Sequence, residues 1–317
     1  MSIIEANKKI RVIFMGTPEF ALPGLRRLIA VPDFDIVGVY TQPDKPVGRR
    51  QELTASPVKE LALKHNIKVF QPAKINLEME NIKNLKPDLI IVIAYGKIIP
   101  QAILDIPTKG CINIHASLLP KYRGAACLNA PILNGDAETG VTIMKMEAGL
   151  DTGPILRQAK IKLNGAENLE DVHDRLAELG AEILVPTLTD FIDGKIQPQI
   201  QDDAQASYVK TIDKEDGKII WTKSAAEIER MIRAYNPWPG TYGKIDGQTL
   251  KIITVDQKIL SINNYPAGTL FLEDKKLAIQ CEQGALNILK LQLAGKKIMT
   301  AAEFINGNRN LIDKILK

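Results

Sequence analysis

The run DLIIVIA, residues 88–94, consists almost entirely of Leu, Ile and Val and is bounded by turn residues. Such a continuous apolar run is typical of a parallel strand buried on both faces, because helices cover both sides of a parallel sheet. Similar runs recur through the first two hundred residues: IRVIFM (10–15), DIVGVYT (35–41), IKVF (67–70), CINIH (111–115) and GVTIMKM (140–146). Helical patterns lie between several of them, at 18–30, 57–65, 77–85 and 124–134. This alternation predicts an α/β fold with a mostly parallel, Rossmann-like sheet, to which PILRQAKIKL (154–163) adds an antiparallel edge strand.

Composition narrows the class of protein. The chain has 317 residues, 45% of them hydrophobic and 25% charged, as in a soluble globular protein. No apolar run approaches the roughly 20 residues of a membrane helix, and the N-terminus lacks the long apolar core of a signal peptide. The three cysteines are far apart and show no CxxC spacing, so neither a disulfide framework nor a metal site is expected. We expect a cytoplasmic protein.

The turn after the first predicted strand argues against a dinucleotide cofactor. It is GTPEF (16–20), in which only the first glycine of a GxGxxG motif is present. Glu19 would also repel a phosphate group at the start of the following helix. NAD is therefore not expected at this turn.

The sequence changes character near residue 194. The polar segment 195–210 is interpreted as a linker between a catalytic domain of residues 1–194 and a C-terminal domain of residues 211–317. The second domain begins with a helical pattern at 224–236 and continues with short strand-like runs separated by turns. Several short strands of this kind predict a small β-barrel.

Positive charge is concentrated in the C-terminal third. From residue 205 onward there are 17 Lys+Arg against 12 Asp+Glu, a net charge of +5, whereas residues 1–204 carry a net charge of −1. A basic domain beside a near-neutral one fits a polyanionic partner such as RNA. Charge alone fits a solvated lysine-rich surface equally well.

Polar residues end the strand CINIH. Alternation along a strand puts Asn113 and His115 on one face at its carboxyl end, where ligands of such sheets bind. Asp151 follows between two glycines in EAGLDTGPIL (147–156), a loop that could bring its carboxylate to a histidine. An asparagine amide can stabilise a developing oxyanion. The trio suits transfer of an acyl-like carbon to an amine, although a structural histidine and a turn aspartate are the simpler interpretation.

The stretch INIHASLLPKYRGAACLNAPILNGDAETGVTIMKMEAGLDTGPIL (112–156) resembles the signature of formyltransferases that use 10-formyltetrahydrofolate. The resemblance continues through FMGTPEFA, TQPDKPVGRR and AYGKIIP in the first part of the chain, and AYNPWPGTY and LAGKKIM in the second. It implies a formyltransferase fold and a catalytic set made of Asn113, His115 and Asp151. It also implies 10-formyltetrahydrofolate as the formyl donor, without a metal, held by the turn Ser117, Leu118, Leu119 and Pro120.

Taken from end to end, these matches resemble family members that formylate methionine on charged initiator tRNA, in translation initiation. They imply that the loop 42–56 contacts the acceptor end of the tRNA, with Arg49 as a tRNA-binding residue. They also imply that the C-terminal domain is an OB-like barrel that binds tRNA, in a protein expected to be monomeric. Lys121 and Arg123 are interpreted as solvated charges and left out of the site.

Related activities remain open on this evidence. The amine could belong to glycinamide ribonucleotide or to a sugar nucleotide, or the enzyme could hydrolyse formyltetrahydrofolate. Glycinamide ribonucleotide formyltransferases are typically single domains, and the PVGRR loop with the basic C-terminal domain argues against a sugar nucleotide. A catalytically silent RNA-binding protein would not need the Asn/His/Asp set.

Overall fold

We describe a computed structural model of the chain, which covers residues 9–47 and 51–317. The chain divides into two compact units. The first contains the described residues up to Cys127 together with Thr139–Ile161 and His173–Val209. The second contains Leu128–Glu138, Lys162–Val172 and Lys210–Lys317.

The described residues form strands and helices in both units. In chain order the strands are β1 (Ile10–Gly16), β2 (Phe34–Tyr40), β3 (Lys45–Val47), β4 (Glu52–Thr54), β5 (Val69–Phe70), β6 (Leu89–Ile93), β7 (Cys111–His115), β8 (Arg123–Gly124), β9 (Glu138–Lys145), β10 (Ile155–Lys162), β11 (Tyr208–Val209), β12 (Thr241–Ile245), β13 (Gln248–Val255), β14 (Leu270–Glu273), β15 (Lys276–Gln280), β16 (Ala285–Leu293) and β17 (Met299–Thr300). The α-helices are α1 (Leu22–Ala30), α2 (Pro57–Lys64), α3 (Met79–Asn84), α4 (Gln101–Leu104), α5 (Ala130–Asn134), α6 (Leu169–Ile192), α7 (Ala225–Ala234) and α8 (Ala301–Gly307). None of these described helices has the length and apolar character needed to span a membrane.

A seven-stranded sheet forms the centre of the first unit, in the order β10-β9-β7-β6-β1-β2-β5. Within this sheet β7, β6, β1, β2 and β5 run parallel to one another. β9 runs antiparallel to β7, and β10 lies beyond it at the edge. The predicted α/β fold with a mostly parallel sheet is therefore confirmed, and the run 154–163 lies at the edge where the sequence predicted it.

Burial on both faces explains why the central strands are apolar throughout. All five residues of β6 and all five of β7 are buried. On one face, Cys111 joins a core cluster with Ile90 and Tyr95. On the other, Ile114 lies under α6, where a Cβ on Gly180 would come within 3.0 Å of the Ile114 side chain. Close helix packing therefore covers the strand that carries the polar residues.

The second unit contains an antiparallel sheet in the order β12-β13-β16-β15-β14, with β17 paired to β16. Its core includes Ile228 and Ile232 from α7. Capping boxes begin α7 at Ser224 and α8 at Thr300, so side chains satisfy backbone N–H groups that each helix leaves unpaired. A separate antiparallel C-terminal domain is thus confirmed.

The predicted closure of this sheet into a barrel is not found among the described strands. The strand order ends at β12 on one side and β14 on the other, without a pairing between them. Instead, the last residues of the chain form backbone hydrogen bonds beside both edge strands, β12 and β14. Lys317 exchanges backbone hydrogen bonds with Lys244 of β12, and Leu316 N–H donates to Gly268 O just before β14. The missing strand pairing is thus replaced in part by the chain terminus.

Two segments of the predicted catalytic domain, Leu128–Glu138 and Lys162–Val172, belong to the second unit. Within that unit, the Asn129 side chain donates to Ala234 O at 2.7 Å, and Arg230 Nε donates to Leu133 O at 3.0 Å. Conversely, most of the segment 195–210 groups with the first unit, where β11 pairs in parallel with β8. The boundaries drawn at 194 and 210 stay predictions.

Candidate active site

The site is built at the carboxyl end of β7. Alternation along the strand puts Asn113 and His115 on one face, with Ile112 and Ile114 on the other. Asn113 is opposite Val92 of β6 and Met144 of β9, and His115 is opposite Thr142 of β9. The sheet therefore presents both polar side chains at one end, as the sequence predicted.

Asn113 is only 9% exposed. Among the residues that the structure describes, none forms a hydrogen bond with its side-chain amide. The amide atoms are nevertheless not among the fully buried unpaired polar atoms of the described residues, so they are accessible to solvent. The Asn113 amide is thus available to a molecule bound at this end of the sheet.

His115 is held by a carbonyl on one side and faces a carboxylate on the other. Its Nε2 lies 2.9 Å from Tyr122 O, and a carbonyl only accepts, so Nε2 carries a hydrogen. Nδ1 lies 3.6 Å from Asp151 Oδ2 and is therefore the nitrogen that titrates. Burial disfavours the imidazolium, but the Cys127 sulfur, the Asp151 carboxylate and the Tyr122 carbonyl outweigh it and raise the pKa of His115 to about 9.

The loop that carries Asp151 requires its two glycines. A Cβ on Gly149 would lie 2.1 Å from Thr152 Oγ1, and one on Gly153 would lie 1.8 Å from Lys145 O. Asp151 itself has φ +54°, in the left-handed region that is uncommon for side-chain-bearing residues. Its Oδ2 accepts from Gly124 N–H at 2.8 Å, and this bond aims the carboxylate at His115.

The turn after β7 is braced by hydrogen bonds from the neighbouring strands. Ser117 is fully buried and its Oγ donates to Lys121 O at 2.6 Å. Thr142 Oγ1 donates to Ser117 O and accepts from Leu119 N–H, at 2.7 and 3.0 Å. Gln158 Nε2 donates to Leu119 O at 2.8 Å. The four residues Ser117, Leu118, Leu119 and Pro120 therefore form a fixed turn beside His115.

The remaining predicted site residue, Arg49, lies outside the described residues. On either side of it in the sequence, β3 and β4 pair with each other in antiparallel orientation. The start of the loop is tied down at Asp44, which accepts from Lys59 Nζ at 2.6 Å and from Gln71 Nε2 at 2.7 Å. The role of Arg49 stays a prediction.

Sequence reasoning missed three residues of the site. Cys127 neighbours the imidazole of His115. Arg123, interpreted from the sequence as a solvated charge, is only 1% exposed, so that interpretation was wrong. Gln201, from the predicted linker, donates to the carbonyl of Asp151 at 2.8 Å. None belongs to a periodic pattern; the one available signal was an arginine placed directly after the site turn, between Tyr122 and Gly124.

The raised pKa of His115 makes the stability of the protein depend on pH. Its folded-state pKa of about 9 lies above the unfolded value of about 6.5, so the stabilisation is complete below pH 6.5 and is lost as the pH rises through 9. Between these limits we expect the wild type to lose up to roughly 3 kcal/mol relative to His115→Ala. Thermal unfolding of both proteins from pH 6 to 9.5 measures this; parallel pH profiles would contradict it.

The described residues include no group of three or more His, Cys, Asp or Glu side chains that could hold a metal ion. What this end of the sheet offers is an unpaired amide donor, an imidazole and a carboxylate in one buried cluster. This combination can stabilise an oxyanion and move a proton without a covalent intermediate.

Comparison with known proteins identifies the family of the chain. The family model "Formyl transferase" matches residues 8–188, and "Formyl transferase, C-terminal domain" matches residues 211–309. An N-formyltransferase from Helicobacter canadensis, solved with folinic acid and dTDP-3-aminofucose, has 21% identity and a TM-score of 0.66; the match covers 88% of this chain and 98% of that one. Fold and site together define a formyl transferase.

Relatives with higher sequence identity show which formyl transferase family the chain belongs to. The methionyl-tRNA formyltransferase of Geobacter sulfurreducens is 45% identical over 302 residues, 95% of this chain and 94% of the relative. HypX from Aquifex aeolicus, solved with tetrahydrofolic acid, shares the fold at 18% identity and a TM-score of 0.61; the match covers 94% of this chain but only 47% of HypX. The chain belongs to the methionyl-tRNA formyltransferase family and is an enzyme.

Proposed function

We propose that this enzyme transfers the formyl group of 10-formyltetrahydrofolate to the amino group of methionine on charged initiator tRNA, in translation initiation. Family membership supports the reaction, since relatives with 45% identity carry the name methionyl-tRNA formyltransferase. The observation that carries the proposal within the structure is the cluster of Asn113, His115 and Asp151 at the carboxyl end of β7. Charged tRNA as a substrate also fits the expected cytoplasmic location.

The proposed reaction is direct attack by the amine. The nitrogen lone pair forms a bond to the formyl carbon, and the carbonyl electrons move onto its oxygen. The Asn113 amide, which has no partner among the described residues, donates to that oxygen. The His115–Asp151 pair takes the proton that the nitrogen releases. Because the pKa of His115 is raised to about 9, its imidazole is already protonated at neutral pH, and the acceptor within the pair is the Asp151 carboxylate, whose Oδ2 lies 3.6 Å from Nδ1. Collapse of the intermediate breaks the bond between the formyl carbon and N10 and expels tetrahydrofolate, whose N10 takes up the proton that the amine released.

The folate is proposed to bind at the turn Ser117, Leu118, Leu119 and Pro120. This turn is fixed by Thr142 and Gln158, so it can present backbone groups to a ligand without further ordering. The structurally similar proteins solved with tetrahydrofolic acid and folinic acid support a folate at this fold. No metal is proposed for any step.

The tRNA is proposed to contact the second unit. A concave cavity of about 550 Å³ in this unit has four exposed lysines and one glutamate among its lining residues: Lys214, Glu215, Lys218, Lys244 and Lys251. Tyr242 lies opposite Lys251, and Lys244 lies opposite Thr249, across the β12–β13 pair. Because one carboxylate faces four ammonium groups, the surface suits a phosphate backbone. Arg49 is proposed to add a contact near the acceptor end, and the protein is proposed to act as a monomer.

Removing two of these lysines should weaken tRNA binding in a salt-dependent way. For Lys244→Gln/Lys251→Gln, we expect the slope of log Kobs against log[salt] to fall in magnitude by about 2, because each phosphate contact releases about one counterion. The KM for charged tRNA should rise while kcat changes little. The matched control is Lys258→Gln/Lys276→Gln, two exposed lysines that do not line this surface. Equal salt slopes for the two double variants would remove the surface from the tRNA site.

The deciding experiment is a formyl-transfer assay with 10-formyltetrahydrofolate and four acceptors. These are charged initiator tRNA, uncharged tRNA, free methionine and a dTDP-linked amino sugar. We expect efficient formylation of the charged tRNA alone. The amino sugar is included because an N-formyltransferase solved with dTDP-3-aminofucose shares the fold. A higher kcat/KM for the amino sugar than for charged tRNA would replace the proposed acceptor.

A further inference from the structure

Arg123 is a buried cation that donates hydrogen bonds to three side chains among the described residues. It is 1% exposed, and a guanidinium out of water needs acceptors for its N–H groups. Nη2 donates to Asp203 Oδ1 at 2.7 Å, and Nη1 donates to Tyr208 Oη at 2.9 Å. Nε and Nη2 also donate to Gln201 Oε1, at 3.1 and 2.9 Å. Because a guanidinium has no acceptor, the side of the Gln201 amide that faces it must be the oxygen.

The nitrogen of the same amide faces the loop of the active site. Gln201 Nε2 donates to Asp151 O and to Gly153 O, each at 2.8 Å. These carbonyls only accept, so the loop requires the same amide orientation that Arg123 requires. Gln201 is 7% exposed and uses both of its N–H groups in this way. One side chain therefore links the two peptide carbonyls to the buried guanidinium.

The hydrogen bonds from Gln201 restrain the backbone of the Asp151 loop. Asp151 has φ +54°, a backbone conformation that is unfavourable in itself and persists only because surrounding contacts stabilise it. The same residue must keep its Oδ2 at 2.8 Å from Gly124 N and 3.6 Å from His115 Nδ1. Both distances change if the backbone of Asp151 turns. A contact that holds the Asp151 carbonyl therefore also sets where its carboxylate lies.

We propose that Gln201 is a positioning residue for the reaction: through its hydrogen bonds to Asp151 O and Gly153 O, it holds the Asp151 carboxylate against His115. This inference rests on the proposed role of Asp151. It makes the polar segment around Gln201, 50 residues farther along the chain than Asp151, a part of the active site. Arg123 fixes the orientation of the Gln201 amide through its hydrogen bonds to Oε1 and is expected to contact neither substrate.

The test uses Gln201→Glu in the full-length enzyme. This change keeps an oxygen for Arg123 but removes both N–H groups that hold the loop. We expect kcat to fall by about 10–100-fold, because a small displacement of a reacting group slows the chemical step. The KM values for the formyl donor and for charged tRNA should stay within about twofold, since no binding contact is removed. The matched control is Gln199→Glu, whose exposed side chain lies on the same segment; it should retain wild-type kcat.

A double variant distinguishes an effect of Gln201 that acts through Asp151 from a general disturbance of the structure. In the Asp151→Asn background, Gln201→Glu should lower kcat by less than about threefold, because residues that act through one group are strongly non-additive. Fully multiplicative losses, or a wild-type kcat for Gln201→Glu, would overturn the proposal. If Gln201→Glu does not fold, Gln201→Met also removes both N–H groups that hold the loop, but it removes the oxygen that Arg123 bonds as well, so thermal unfolding must show that the variant is folded before its kcat is compared.

The outcomes also distinguish this inference from the proposed function. If Asp151→Asn alone is fully active, the proposed role of Asp151 fails and Gln201 has nothing to position. If Asp151→Asn is impaired while both Gln201 variants are normal, the reaction proposal stands and only the positioning role fails. Asp203→Asn, which weakens an exposed partner of Arg123 without touching Gln201, should leave kcat within about twofold of wild type.

Discussion

Replacing His115 by alanine or Asp151 by asparagine is expected to lower kcat by about 10²–10⁴-fold, the range in which positioned acids and bases contribute. His115 is 7% exposed at its side chain and has Nδ1 directed at Asp151, so neither residue has a substitute from solvent. Asp151→Asn keeps the shape of the side chain and removes its charge. The proton released by the attacking amine then has no charged acceptor beside His115.

The double variant is the sharper part of this prediction. If the two residues handle the proton as one unit, His115→Ala/Asp151→Asn should be little worse than the poorer single variant. Single-turnover formylation of charged tRNA measures the chemical step for all three proteins. His65→Ala and Asp174→Asn, at exposed positions, are the controls and should be near wild type. Losses that multiply would show that His115 and Asp151 act independently.

Asn113→Ala is expected to lower kcat by about 10²–10³-fold, as the loss of one oxyanion donor does in other enzymes. The amide of Asn113 has no partner among the described residues, so its removal leaves no protein group unpaired. We therefore expect the melting temperature and the folate affinity to change little, while the transition state loses its donor. This separation of kcat from binding is the signature of the proposed role.

Asn113→Asp completes the test. It keeps the size of the side chain but replaces the N–H donor by an oxygen, and a carboxylate would repel the developing oxyanion. Its kcat should be at least as low as that of Asn113→Ala. Near-normal turnover by either variant in a steady-state assay would exclude Asn113 from the mechanism, as would a loss that appears only in the affinity for the formyl donor.

Local patterns predicted the parts of this protein that depend on a few neighbouring residues. Runs such as DLIIVIA became buried parallel strands, because a strand covered on both faces has to be apolar at every position. Alternation put Asn113 and His115 on one face of β7. The two glycines beside Asp151 indicated a tight loop, and each is required by a close backbone or side-chain approach.

Contacts between distant segments were decided only in the folded chain. The hydrogen bonds between Arg123 and Gln201 join residues that are 78 positions apart. A single arginine or glutamine is not part of a periodic pattern, so the sequence could not predict this pairing. The strand pairing of the second unit likewise stayed open between β12 and β14, where the terminal residues bond instead. The amino-acid sequence by itself determined the central strands of the first unit, the face that carries Asn113 and His115, and the tight Asp151 loop, because these follow from local geometry and burial. Tertiary structure alone decided which polar groups surround that loop, because burying Arg123 requires acceptors that only distant segments supply.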